Sequence, residues 1–225
     1  MSKHKFYIII PLRRGSKRIK NKNTILIKNK MLFEYTLDKI IINKFFYKTF
    51  INSNDKTIKN WALKNKISFL DRSKKNQGDK STTESVILET INKKKDEILF
   101  DKNSHIILLQ CTSPLRNKND LENCIKHYIN GKFDSLFSGF VSKNLFWGKN
   151  KKKLTPVNYN LFNRKREQEM NEQIIENGSI YIFNLLKFLK YKNRLFENIG
   201  VYLMNKINSM QVDEKEDLEI LEKFI

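Results

Sequence analysis

Residues 8–23 read IIIPLRRGSKRIKNKN, and the fold is read outward from this stretch. Three isoleucines run into Pro11, so a strand buried on both faces is expected to end there. The next residues are Leu12, Arg13, Arg14, Gly15, Ser16, Lys17, Arg18, Lys20, Lys22 and Asn23. A glycine lets backbone N–H groups approach phosphate oxygens in a conformation that a side chain hinders. Ser16 adds a hydroxyl donor, and Lys17 and Lys22 add point charges for a triphosphate whose negative charge grows at its leaving end. A Walker A loop is excluded, because G-x-x-x-x-G-K-[ST] is missing. The competing reading is a basic surface loop after a first strand, and spacing alone leaves both open.

Short apolar runs follow at intervals. Phe6–Ile10, Thr49–Ile51, Ile106–Leu109, Ser179–Phe183 and Val201–Met204 read as strands. Between them, helical patterns cover Met31–Phe45, Asp55–Lys64, Thr82–Lys93, Lys118–Ile129 and Asp213–Phe224. This alternation predicts an α/β fold: a mostly parallel sheet flanked by helices, with ligands beyond the carboxyl ends of its strands. Residues 143–176 interrupt it with a polar, basic segment carrying Trp147, Tyr159 and Phe162. We read it as an ordered arm inserted in a single domain of residues 1–225. It either packs on a partner subunit or closes over a substrate; a disordered linker is the other reading.

The chain carries 44 Lys+Arg against 24 Asp+Glu, a formal charge of +20. Nucleic-acid binding is one reading of that charge. The other is composition, because lysine is abundant from end to end and gathers in no block; we favour it, and a nucleic-acid partner is not expected. No apolar run approaches the roughly 20 residues of a membrane helix. The first apolar patch is too short for a signal peptide core, so the chain is read as cytoplasmic. Cys111 and Cys124 make no disulfide framework. Cys124 shares a helix face with Leu121, Ile125 and Tyr128, which makes it a small core side chain. His4, His105 and His127 stand apart in sequence without zinc-site spacing.

The loop after the first strand resembles the signature of the acylneuraminate cytidylyltransferase family, the CMP-sialate and related CMP-nonulosonate synthetases. Pro11, Arg13, Gly15, Ser16, Lys17, Lys22 and Asn23 fit, while Arg14 replaces a small residue. The turn after it reads Asn29-Lys30-Met31-Leu32, with asparagine where the family has glycine. The resemblance continues in order: Asn52-Ser53-Asn54-Asp55; then Arg72, Asp79, Thr82 and Thr83; then Leu109-Gln110-Cys111-Thr112-Ser113-Pro114-Leu115-Arg116. Arg166 and Asn177-Gly178-Ser179-Ile180-Tyr181 extend it, and Gln211-Val212-Asp213 stands at the family's Asp-x-Asp. Thr112, Ser113 and Pro114 also suit a helix start, and Asp213-x-x-Glu216 a capping box.

The resemblance implies a Rossmann-like nucleotide-diphospho-sugar transferase fold. It implies transfer of CMP from CTP to an acidic sugar such as N-acetylneuraminate, legionaminate or pseudaminate, for surface polysaccharide biosynthesis. In that reading Arg13, Lys17, Lys22 and Asp213 are catalytic. Leu12, Gly15, Ser16, Asn23, Arg72, Thr82 and Thr83 bind the nucleotide. Gln110, Ser113, Arg166, Asn177 and Tyr181 bind the sugar. Mg²⁺ is implied on Asp213, and so is a homodimer. The neighbouring reading is a 3-deoxy-octulosonate cytidylyltransferase, whose first loop usually lacks the Gly-Ser-Lys and Lys-Asn elements.

Overall fold

A computed structural model describes residues 4–41, 48–151 and 153–225. In chain order the strands and helices are β1 (Lys5–Leu12), β2 (Leu26–Ile27), β3 (Lys30–Met31), α1 (Leu32–Ile41), β4 (Lys48–Ser53) and α2 (Lys56–Lys64). Then come β5 (Ser68–Asp71), α3 (Thr83–Lys93), β6 (Ser104–Leu109), α4 (Asp120–Asn130), β7 (Ser135–Ser142), β8 (Trp147–Asn150) and β9 (Lys153–Pro156). The chain closes with β10 (Gln173–Asn184), α5 (Leu185–Tyr191), β11 (Ile199–Leu203) and α6 (Lys215–Glu222).

Seven strands form one sheet in the order β11-β7-β10-β6-β1-β4-β5. Pairing is parallel except where β10 runs antiparallel between β6 and β7. The centre of the sheet explains the isoleucine run. Ile8 and Ile10 enter one apolar cluster with residues of α1, α2 and α4. Tyr7 and Ile9 enter a second, with residues of α3 and α5. Successive side chains point to opposite faces, so a strand covered on both needs apolar residues at every position. β1 runs one residue beyond Pro11, to Leu12.

After β1 the chain passes to β4 and β5 on one side, then returns to β6 on the other. That reversal leaves a crevice beyond the carboxyl ends of β1 and β6, where open α/β sheets bind ligands. Caps fix the helix starts. Asp55 accepts from Thr57 N, Thr82 from Ser85 N, and Asn184 from Lys187 N. α6 has its capping box on Glu214 and Asp217, one residue beyond the expected Asp213 and Glu216. α4 starts at Asp120 after Asn119, so Thr112, Ser113 and Pro114 lie in a loop well before it and do not cap it. α1 occupies the first ten residues of the span expected from Leu32 on; residues 42–45 of that expectation lie outside the described residues. Cys124 is buried with Leu121, Ile125 and Tyr128, as its helix face requires.

The inserted arm is ordered as a β8–β9 hairpin followed by a short turn region. Trp147 packs edge-on to Tyr159, with ring centroids 5.9 Å apart. The arm is shorter than expected, because Gln173–Glu176 belong to β10 and pair with Ser142–Gly139 of β7.

Candidate active site

The cleft beyond β1 and β6 has a volume of about 550 Å³. Its walls carry Arg13, Ser16, Lys17, Arg18, Lys22 and Arg72. Two carboxylates face these five basic side chains, Asp79 and Asp213. The cleft is therefore built for an anion. Gly15 sits at φ +91°, where a residue with a Cβ is strained, and a Cβ there would meet no atom within 4 Å. Its role is conformational: the loop can turn only because position 15 lacks a side chain. Asn23 fixes the loop from below, its Nδ2 donating to the Arg13 carbonyl at 3.0 Å. Arg14 N donates to Asn54 Oδ1 at 2.7 Å, which ties the loop to the end of β4.

Asp79 holds the mouth of this loop. Its two oxygens accept from Arg13 at 3.0 Å and from Lys17 at 2.6 Å. The hydrogen bond from Lys17 in the first place keeps the Asp79 carboxyl below its ordinary range. On the opposite wall, Lys22 Nζ donates to Asp213 Oδ1 at 3.0 Å and to the Val212 carbonyl at 2.8 Å. Arg18 reaches Asp213 at 3.2 Å and Glu214 at 2.7 Å. The sequence reading gave Arg18 and Asp79 no separate role; both contacts span long stretches of chain and leave no local pattern.

Arg72 is buried, and burial lowers its guanidinium to about 10, which leaves it charged at neutral pH. Its Nε and one terminal nitrogen donate to the side chain and backbone of Asn52, at 2.8 and 2.9 Å. Thr82 and Thr83 line the same wall at the start of α3, with Asn76, Gly78, Ser81 and Val86 nearby. Gln110, Cys111 and Thr112 form the floor at the end of β6. Cys111 is buried, and burial pushes its thiol up to about 12.

Several residues expected to touch ligand do not line the cleft. Leu12 packs in the core at 1% exposure and does not reach the cleft. Ser113 is fully buried and accepts from Gln211 Nε2, so it faces protein. Arg116, beside it, is buried on Ser179 and the Gln110 carbonyl. Tyr181 is buried in the second core cluster and its hydroxyl donates to Glu176. Asn177 is buried too: its Oδ1 accepts from Ser138 Oγ and Ser179 N, and its Nδ2 donates to Ser209 Oγ and the Met204 sulfur. These bonds hold a bulge in β10, between Glu176 and Tyr181. The bulge turns Gly178, at φ +65°, toward Gln110 and Gln211. Asn177 thus shapes the site without lining it, as bulges beside active sites do.

Arg166 is exposed and lies outside the cleft. It lines a second one of about 670 Å³, between the arm and the end of β7, with Lys143, Arg164, Lys165 and Lys206. The structure therefore collects the basic-loop residues and Gln110 in one place, and Arg166 in another.

A model of the family described as Cytidylyltransferase matches residues 7–224. The chain belongs to the cytidylyltransferase family. This family member is 26% identical over 214 residues to an N-acylneuraminate cytidylyltransferase of Streptococcus agalactiae serotype III (strain NEM316), covering 93% of this chain and 50% of that protein. It thus spans about half the length of that relative. It is 25% identical over 220 residues to the pseudaminic acid cytidylyltransferase of Campylobacter jejuni (strain 81-176), covering 94% of this chain and 92% of the other. Among solved structures, a CMP:2-keto-3-deoxy-manno-octonic acid synthetase complexed with CTP superposes with a TM-score of 0.69 at 15% identity. That match covers 98% of each chain and is an agreement in fold. Among the described residues no helix is long and apolar enough to cross a membrane.

Proposed function

We propose that this chain is a cytidylyltransferase that activates an acidic nonulosonic sugar with CTP, giving the CMP-sugar and pyrophosphate. The observation that carries the reading is the cleft itself: a glycine-turned basic loop facing Arg72, Thr82 and Thr83 at the sheet's switch point. The sugar's anomeric hydroxyl attacks the α-phosphorus of CTP. A new P–O bond forms, the bond from the α-phosphorus to the bridging oxygen breaks, pyrophosphate leaves and the hydroxyl proton goes to solvent. Such transfers depend on positioning and charge neutralisation. Arg13, Lys17 and Lys22 supply the charge, and Ser16 and Asn23 hold the loop and the phosphates. Arg72 and the two threonines face the base and ribose, and Gln110 faces the sugar.

The donor set in the cleft fits a magnesium ion that arrives with the triphosphate. Asp213 would hold it, since Mg²⁺ keeps waters and binds through one or two carboxylates plus phosphate oxygens. When bound it would neutralise phosphate charge and acidify the attacking hydroxyl.

The second cleft supports a homodimer reading. Arg166 and its basic neighbours do not line the first cleft, and the arm beside them exposes Leu154, Val157, Leu161 and Phe162, the last at 99%. Exposed apolar clusters of this kind mark interfaces. In a two-fold pair each arm carries its Arg166 toward the partner's cleft, where a forked guanidinium suits a sugar carboxylate.

The test is pyrophosphate release from CTP and Mg²⁺ with a panel of nonulosonic acids, with a 3-deoxy-octulosonic acid included. Release dependent on a nonulosonic acid is expected. Release only with the octulosonic acid, or CTP binding no tighter than GTP or UTP binding, would overturn the assignment.

A further inference from the structure

The family resemblance leads one to expect two carboxylates at 211 and 213, and this chain has Gln211 and Asp213. The surroundings of Gln211 show what the change does. Its Oε1 accepts from Thr112 Oγ1 at 2.7 Å, and its Nε2 donates to Ser113 Oγ. Gly178 closes in from a third side, where an added Cβ would lie 2.8 Å from Gln110 Oε1 and 3.5 Å from Gln211 Oε1. The amide thus pins the 110–113 turn to the segment before α6. It has both of its ends in use and brings no negative charge.

The other carboxylates nearby are also committed. Asp213 Oδ1 accepts from Lys22 and Arg18. The Lys22 side chain is only 12% exposed, so that pair is shielded from solvent on one side. Glu214 pairs with Arg18 and caps α6. Asp217 Oδ2 accepts the backbone N–H groups of Asp213 and Glu214, both at 2.7 Å. Among the described residues no cluster of three or more His, Cys, Asp or Glu stands where it could hold a metal ion. A dication approaching Asp213 in the free protein meets one carboxylate already shared by two cations.

We propose that Gln211 makes divalent-cation uptake conditional on nucleotide. The free protein holds the cation weakly. Asp213 accepts it once a triphosphate has drawn Lys22 and Arg18 onto its own oxygens and brought further oxygen ligands. A carboxylate at 211 breaks that condition by giving the free protein a second charged ligand. The inference rests on the triphosphate reading of the cleft, and its test separates the two.

Mn²⁺ is titrated into the full chain and followed by the paramagnetic resonance signal of the free ion. The titration is run with and without a CTP analogue whose α–β bridging oxygen is a methylene, against the analogue alone as control. Calorimetry follows analogue binding in parallel. The protein alone should take up Mn²⁺ more weakly than roughly 1 mM, and protein with analogue should retain it beyond what the analogue alone retains. Gln211→Asp, with folding checked by its melting curve, should take up Mn²⁺ without nucleotide at least about tenfold more tightly than the parent. Tight uptake by the parent without analogue overturns the inference while the functional reading stands. A folded Gln211→Asp that binds as weakly as the parent overturns the role of Gln211. No analogue binding in calorimetry overturns the triphosphate reading, and the inference with it.

Discussion

At the scale of single residues, the cleft holds a carboxylate that competes with its ligand. Asp79 occupies the Arg13 and Lys17 charges that the proposed triphosphate needs. Exposed ion pairs of this kind contribute little to folding, so removing one leaves the fold unchanged and frees two cations. Asp79→Asn should therefore lower the dissociation constant for CTP about 2- to 5-fold, measured by calorimetry; unchanged or weaker binding would show that Asp79 contacts the nucleotide complex instead. Gly15→Ala forces a Cβ at φ +91°, a strain of roughly 1–2 kcal/mol, and should weaken CTP binding about tenfold and lower the melting temperature by about 2–8 °C. A third site tests pH. His105 is buried against Phe6 and Tyr128, with its Nε2 2.8 Å from His4 Nδ1. Burial first, and His4 second, lower its imidazole to about 4. A depressed histidine is neutral in the native state while the unfolded chain takes up a proton near 6.5. Stability is then full above about pH 6.5 and falls as pH drops toward 4, by at most about 3 kcal/mol. Urea midpoints of His105→Gln across that window should be flatter than those of the parent. The loop residues 13–23 were legible because the chemistry lies in consecutive positions. Asp79 and Gln211 take their meaning from partners about 60 to 100 residues away, which no local pattern encodes.

At the scale of elements, most of the strands that sequence reveals are buried on both faces; β11, read from Val201 on, is a half-exposed edge strand. Phe6–Ile10 and Ile106–Leu109 stand out as apolar runs because helices cover them above and below. β7 escaped the reading because its buried positions include Ser135, Ser138 and Ser142, whose burial depends on hydrogen bonds and not on apolar character. β10 was found only over Ser179–Phe183, because its bulge breaks the run at Asn177 and Gly178 and hides the strand's first half. α5 escaped as well, since only Asn184 separates its seven residues from the strand's apolar run. The bulge also makes a prediction. Asn177→Ala leaves Ser138, Ser209 and the Ser179 N–H short of partners in the core, which should cost about 2–4 kcal/mol. A matching loss in the urea midpoint is expected, together with a weaker sugar response as Gly178 shifts against Gln110. A variant as stable as the parent would mean that water replaces the amide.

At the scale of the whole molecule, the +20 charge and the dimer proposal can be tested together. Sedimentation should give a particle of twice 26.9 kDa, and Phe162→Asp should move it toward a single chain. A random oligonucleotide should not displace CTP at physiological salt; displacement that weakens steeply with added salt would return the charge to nucleic-acid binding. The way the arm leaves the sheet carries a further consequence. Ser142 and Gln173 are partners on one rung of the β7–β10 ladder, so the segment between them departs and returns at a single point. Its length and sequence can drift over generations without moving a strand by one register step. On the proposed role of Arg166, the two clefts are in that sense separately heritable: a lineage can trade one arm for another while the basic loop after β1 passes on intact.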